Sequence, residues 1–297
     1  MFFRSNKPNI GYIIKTAACI AVFFASMAFF SLMCKALVDN YIFLIAPTMK
    51  ITVPWLIKLG ISVLLILITL GIVAVLVRPV WLAIATLAAG SILYPLIAGG
   101  GYITWILAAV SCASLSGGYL YFVVKQMRNQ VNFSTHPLGE KKLLVCSLLA
   151  LLIAVSLGLG YAEDSARRNY IIVPEIKTLA QDYVVYQAIQ IAVKQYPKIT
   201  AKQKEAAAES VKKNMKKTFD DVEKNMEKYK STLPVIFGAI AFMIFQMVLI
   251  FIAMIASIFS TFIFSLLRIT HFTRITTETC EVKHLTLKTV PIERKGK

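Results

Sequence analysis

The residues able to do chemistry are few and scattered. Gln246 is the one strongly polar side chain deep in a long apolar run. Its amide both donates and accepts, which suits a hydrogen bond between helices or a contact to a bound ligand. Asp39, Asn40 and Tyr41 stand together where the first apolar segment ends. They could lid a cavity or line an interfacial loop. Ser114 and Ser116 are hydroxyl nucleophiles by type, but such a group needs a base within hydrogen-bond reach. The three histidines, His136, His271 and His284, fall in polar segments away from them. There is no His-Glu-x-x-His motif and no pair of aspartates inside an apolar run. Gly99, Gly100 and Gly101 are followed by Tyr102 and Ile103, whereas a phosphate loop needs a Lys and a Ser or Thr there. No catalytic residue, no cofactor and no metal site is expected.

The five cysteines are Cys19, Cys34, Cys112, Cys146 and Cys280, without a Cys-x-x-Cys or a tight cluster. Most lie in apolar runs, where a free thiol behaves as a small hydrophobe. A disulfide framework is not expected. Met33 precedes Cys34 where a lipoprotein signal needs a small residue, so the first segment reads as a retained helix.

The elements that must position these residues are membrane helices. Of the 297 residues 58% are hydrophobic and only 16% are charged, and mean hydropathy is +0.70. A soluble domain carries about 25% charged residues. The composition excludes a disordered chain, a nucleic-acid-binding tail protein and an ordinary soluble enzyme, so the lipid bilayer is the first partner and nucleic acid is not one. A hydrocarbon core of about 30 Å needs about 20 apolar residues in a helix. Six stretches qualify: 10–33, 59–77 (or from Pro54), 80–98, 102–124, 143–161 and 233–267. The last has no Gly or Pro after Gly238 to turn on, so one long, tilted or protruding helix is expected. No Asp, Glu, Lys, Arg or His falls inside these boundaries deep in the hydrocarbon, which argues against a proton-driven carrier, a pump or a voltage sensor.

Orientation follows from the charges. The net charge is +17. With the N-terminus inside, Arg4, Lys7, Lys15, Arg78, Lys125, Arg128, Lys141, Lys142 and the basic tail all fall on the cytoplasmic side. The opposite short loops hold Lys35, Lys50 and Lys58. That is the positive-inside pattern of a multi-pass protein of the bacterial inner membrane with both termini cytoplasmic. Trp55, Trp81 and Trp105 sit near helix starts, as interfacial aromatics do.

The chain thus divides into a five-helix membrane region (1–161), an extracytoplasmic helical hairpin (162–232), a long last transmembrane helix (233–269) and a basic cytoplasmic tail (270–297). In the hairpin, Pro174 opens one helix, with Ile176, Leu179, Tyr183, Tyr186 and Val193 on one face, and Pro197 ends it. Thr200 with Gln203 makes a capping box for the next. There Ala208, Val211, Met215, Thr218, Val222, Met226 and Tyr229 form the stripe expected to pack against the first. The tail alternates weakly around Val282, Leu285, Leu287 and Val290 and is Thr-rich, as a loose segment or an edge strand for a partner would be.

What remains is packing chemistry. Ala17, Ala21 and Ala25 recur every fourth residue in the first helix, a row that lets another helix approach closely. Ala85 and Ala89, with Gly90, repeat the device in the third span. Either row serves packing within the chain or docking of a partner membrane subunit.

Six helices with both termini inside, a long first outer loop and the alanine row resemble the S components of energy-coupling-factor vitamin transporters. That resemblance implies that Ala17, Ala21 and Ala25 dock the chain onto a transmembrane coupling subunit. The order of parts, membrane segments followed by an amphipathic helical stretch, "STLPVIFGAIAF" and a long apolar helix ending in "LLRIT", is similar to the YybS-like family of bacterial membrane proteins, a resemblance that covers 80–268. Two functions follow as expectations. One is the membrane-embedded, substrate-binding component of a solute-uptake system, which would draw energy from partner subunits and bind a small molecule beneath Asp39, Asn40 and Tyr41. The alternative is a non-catalytic envelope scaffold or assembly protein acting through its hairpin.

Overall fold

Helix covers nearly all of the described chain, as expected of apolar segments that must satisfy their own backbone in lipid. The structure is a computed structural model and describes residues 10–45, 49–77, 79–99, 101–128, 142–195 and 200–270. Pro47, Gly100, Pro197, the three histidines, Cys280 and the tail from 271 lie outside them.

The helices are α1 (Ile10–Asp39), the short α2 (Ile42–Ile45), α3 (Met49–Leu76), α4 (Val80–Ala98), α5 (Gly101–Ala113), α6 (Tyr121–Arg128), α7 (Lys142–Arg168), α8 (Pro174–Gln195), α9 (Ala201–Met226) and α10 (Leu233–Ile269). A π-helical stretch, Ser114–Leu120, joins α5 to α6. Six spans are long and apolar enough to cross a bilayer: α1, α3, α4, the α5–α6 unit, α7 and α10. The chain is an all-α, multi-pass membrane protein. The span 80–98 matches its expected bounds, and the last run is one uninterrupted helix. At 37 residues α10 is about 55 Å long, well beyond the hydrocarbon core.

Boundaries differ elsewhere, each for a physical reason. Helix α1 continues six residues past Met33, because Cys34 and Leu37 are fully buried and keep its inner face apolar. Helix α3 starts at Met49 and carries Pro54 in its second turn, where the ring removes the N–H that would bond the carbonyl of Lys50. Helix α7 runs beyond Tyr161 to Arg168, taking Glu163, Asp164, Arg167 and Arg168 with it.

Helix α7 is the centre of the bundle, packing on α1, α3, the π stretch and most extensively α10. Its pairing with α10 is antiparallel along the full span. The Lys142 amine donates to Ser260 Oγ at 2.9 Å. The Cys146 thiol donates to the Leu249 carbonyl, and Gln246 Nε2 donates to Ser147 Oγ at 2.7 Å. Near the other end the helices meet backbone to backbone. A Cβ added to Gly158 would lie 3.0 Å from the Pro234 carbonyl oxygen. One added to Gly160 would lie 2.8 Å from the Val38 carbonyl oxygen of α1. The interior is filled by large side chains, among them Phe23, Phe30, Leu67, Leu87, Tyr94 and Tyr119. Tyr94 bonds Ser156 at 2.9 Å. By contrast, α10 is an edge helix. Only a single row from Ala241 to Phe264 is buried, and Met243, Met247, Phe251, Ile258 and Phe262 face outward.

Candidate functional site

Where α7 leaves its apolar run, it makes a polar knot that joins five elements. Asp164 sits one turn past Tyr161, with Arg167 and Arg168 at i+3 and i+4, the spacing at which helical charges meet. Its Oδ1 takes Arg167 Nη2 at 2.8 Å and Arg168 Nε at 3.0 Å. Its Oδ2 accepts from the Tyr170 hydroxyl at 2.9 Å. The Tyr170 hydroxyl in turn hydrogen-bonds the hydroxyl of Tyr41, which is 1% exposed and follows the end of α1. Arg168 also reaches Glu175 of α8 at 3.6 Å.

The chain reverses at Asn169, whose φ of 50° is left-handed, a conformation Asn tolerates at a helix C-terminus. That turn returns Tyr170 onto α7. Ser165 Oγ donates to the Tyr170 carbonyl at 2.7 Å, and the Tyr161 hydroxyl donates to the Ile171 carbonyl at 2.6 Å. The Tyr161 ring stacks on Phe237 of α10 and stands edge-on to Tyr41. Glu223 of α9 completes the knot. Its Oε1 accepts from the backbone N–H of Ile172 at 3.0 Å and of Ile171 at 3.4 Å. Its Oε2 pairs with Lys177 of α8 at 2.7 Å.

The electrostatics fit anchoring. Burial above all pushes the Tyr41 hydroxyl up to about 12; its Tyr170 bond pulls it down, and the negative charges of Asp164 and Glu175 add to the rise. Burial also pushes Tyr170 far upward, helped by its bonds to Tyr41 and Asp164. Both phenols therefore stay neutral donors through the physiological range. For Glu223, burial raises the carboxyl, but the Lys177 ion pair and the two backbone N–H bonds outweigh it and hold the group below its ordinary value.

The residues singled out from sequence are only partly brought together. Tyr41 enters the knot, while its neighbours Asp39 and Asn40 are exposed and contribute no side chain to it. Gln246 makes a bond between α10 and α7. Ala17, Ala21 and Ala25 are all exposed, on the face of α1 opposite buried Cys19, Phe23 and Met27. Ala85 and Ala89 are likewise exposed, and only Gly90 approaches a neighbour, the Phe23 ring. Trp81 and Trp105 are exposed as expected, but Trp55 is buried against Phe43 of α2.

Two ionisable groups are nonetheless buried, outside the bounds within which none was expected. Asp164 is 6% exposed and Lys142 only 1%. Both lie at the ends of α7, just past the boundaries drawn from hydropathy. The Asp-x-x-Arg-Arg spacing was the available signal for the first. Nothing in the sequence pairs Lys142 with Ser260. That pair has nucleophile and base types at 2.9 Å, yet the Ser260 hydroxyl donates its proton to the Ala256 carbonyl at 2.7 Å. With Ser260 itself 2% exposed, the arrangement is a latch between α7 and α10. Among the described residues no three His, Cys, Asp or Glu side chains come together to hold a metal ion.

Fold and site together define a multi-pass helical membrane protein with a polar knot tying a helix pair to one end of its bundle. Comparison of the chain with protein-family models, with curated proteins and with solved structures gave no significant match.

Proposed function

We propose that this protein is a non-catalytic envelope scaffold, whose hairpin α8–α9 is presented outside the membrane as a contact surface for a partner protein. The single observation carrying the reading is the placement of α8. Of the stripe expected to pack on α9, Ile176, Leu179, Tyr183 and Tyr186 are exposed at 37%, 52%, 65% and 58%, and Val193 is half-buried. The face turned to α9 instead holds Val185 and Lys177. On α9 the partly buried row runs through Ala208, Val211, Met215, Phe219, Glu223 and Met226, leaving Thr218, Val222 and Tyr229 outside.

An apolar, tyrosine-rich stripe held up by a fixed base is what a protein contact needs. Aromatic side chains dominate such contacts, because they bury much area at little entropy cost. The knot supplies the fixed base. Among the described residues Lys15, Lys125, Lys142 and Arg268 stand near the span ends opposite the hairpin, which supports both termini in the cytoplasm of a bacterial inner membrane and the hairpin outside.

The test is crosslinking in native membranes with a photoreactive residue at Tyr183, followed by mass spectrometry. A discrete protein adduct lost in Leu179→Ser/Tyr186→Ser supports the scaffold. Crosslinks only to lipid, or a hairpin found on the cytoplasmic side, overturn it.

The uptake reading keeps one supporting observation, the outward-facing alanine row of α1. A coupling subunit that co-purifies with the protein and is lost on Ala21→Leu would favour that reading over the scaffold.

A further inference from the structure

Beside the knot lies a groove of about 440 Å³, between Ala162, Ser165 and Ala166 of α7 and the segment Glu227, Lys228, Lys230, Ser231 and Pro234. We propose that this groove seats the headgroup of an anionic phospholipid from the leaflet at that end of the bundle.

The first argument is depth. The apolar run of α7 ends at Tyr161, and that of α10 begins at Leu233. The groove lies between these two points, at the level where hydrocarbon gives way to headgroups. The residues that follow Pro234 on the edge helix, Val235 and Ile236, are exposed at 69% and 47%. An acyl chain continuing from a headgroup in the groove would find an apolar surface there.

The second argument is chemistry. Lys228 and Lys230 bring two ammonium groups to the rim. Lys230 spends one donor on Asn169 Oδ1 at 2.8 Å and keeps others. Lys228 stands over the Tyr229 ring at 5.0 Å and is otherwise open to solvent. Ser231 adds a hydroxyl, whereas Ser165 already donates to Tyr170. Glu227 sets a limit on charge. Its carboxylate repels a doubly charged phosphate but can accept from a headgroup hydroxyl, so a singly charged phosphodiester with a hydroxylated headgroup fits best. Basic pockets beside membrane helices recognise lipids by this combination. The apolar floor of Ala162, Ala166 and Pro234 suits an amphiphile better than free phosphate.

The test is native mass spectrometry of the full chain in mild detergent, titrated with phosphatidylglycerol or phosphatidylcholine. Each lysine near a headgroup is worth about fivefold in affinity, so Lys228→Gln/Lys230→Gln should weaken phosphatidylglycerol binding about 30-fold. Phosphatidylcholine binding should not change. Lys228→Gln alone leaves the Lys230–Asn169 bond intact and guards against misfolding; it should give about fivefold. The control Lys212→Gln/Lys213→Gln, on α9 away from the groove, should behave as the parent. Equal phosphatidylglycerol retention by parent and double variant overturns the proposal. So does an equal loss in the control, which would mean general charge attraction. Full competition by millimolar glycerol phosphate would make the groove a site for a soluble phosphate ester and would also overturn it.

Discussion

Two sets of small residues occupy this molecule, and they do opposite things. Ala17, Ala21 and Ala25 keep the regular four-residue spacing of a helix-docking row, yet all three face away from the bundle. Ala154, Gly158 and Gly160 of α7, with Gly238 of α10, lie inside two apolar runs and were not read from sequence as a packing row. They form the closest backbone contacts found at the glycines. A Cβ on Gly238 would come within 3.3 Å of the Ala154 carbonyl oxygen, and one on Gly160 within 2.8 and 2.9 Å of the Val38 and Leu37 carbonyl oxygens. Spacing therefore establishes that a helix can be approached. It does not say whether the approaching helix belongs to the same chain.

The same new side chain placed in each row should separate them. Gly160→Leu must push α1 off α7 against backbone atoms that cannot rotate away. A loss of about 3 kcal/mol is expected, read as a lower midpoint in detergent-based thermal unfolding. An unchanged midpoint would mean that α1 and α7 do not meet at this point.

The knot next to that contact should give an intermediate effect, tunable by pH. The carboxyl of Glu223 is held below its ordinary value, so its charged form is favoured in the folded state. That contribution is fully present above the unfolded value of about 4.5 and is lost as pH falls below it towards the folded value. Removing the carboxylate strands two backbone donors and Lys177, which costs about 1–3 kcal/mol. Hydrogen exchange at Ile171 and Ile172 should therefore accelerate as pH drops below that point, beyond its intrinsic pH dependence. Glu223→Gln should show the acceleration already at neutral pH. An exchange rate insensitive to Glu223→Gln would remove α9 from the knot.

The smallest effect is expected at the alanine row. Ala21→Leu adds a side chain to an exposed helix face and should change the midpoint of the isolated protein by no more than about 0.5 kcal/mol. A large loss would place the row inside the fold. An unchanged monomer that loses a co-purifying subunit would assign the row to that subunit.

How much was legible follows from which interactions act locally. The span 80–98 and the single long last helix were readable, because hydropathy over some twenty residues decides membrane insertion. The capping box was readable to the atom. Thr200 Oγ1 accepts from Gln203 N–H, and Gln203 Oε1 from the Thr200 N–H, both within four residues. The faces of α8 and α9 were not. Their apolar periodicity predicted that the Tyr183 stripe would be buried. The pairing is set instead by Lys177 with Glu223, and by Glu223 with the backbone of Ile171 and Ile172. Those partners are about fifty residues apart. The extension of α7 was missed because hydropathy marks where apolar residues end, while a helix continues as long as its charges find partners at i+3 and i+4.

By itself, the sequence determined the class. Composition and run lengths require an all-α, multi-pass membrane protein, since a backbone in lipid has few other ways to satisfy its hydrogen bonds. Only the tertiary structure decided which faces meet. It turned the alanine row outward, drew Tyr41 into a knot with Asp164 and Tyr170, and paired Lys142 with Ser260. Each of these depends on contacts between residues distant in the chain, and the price of burying a polar group is fixed by the partner it meets there.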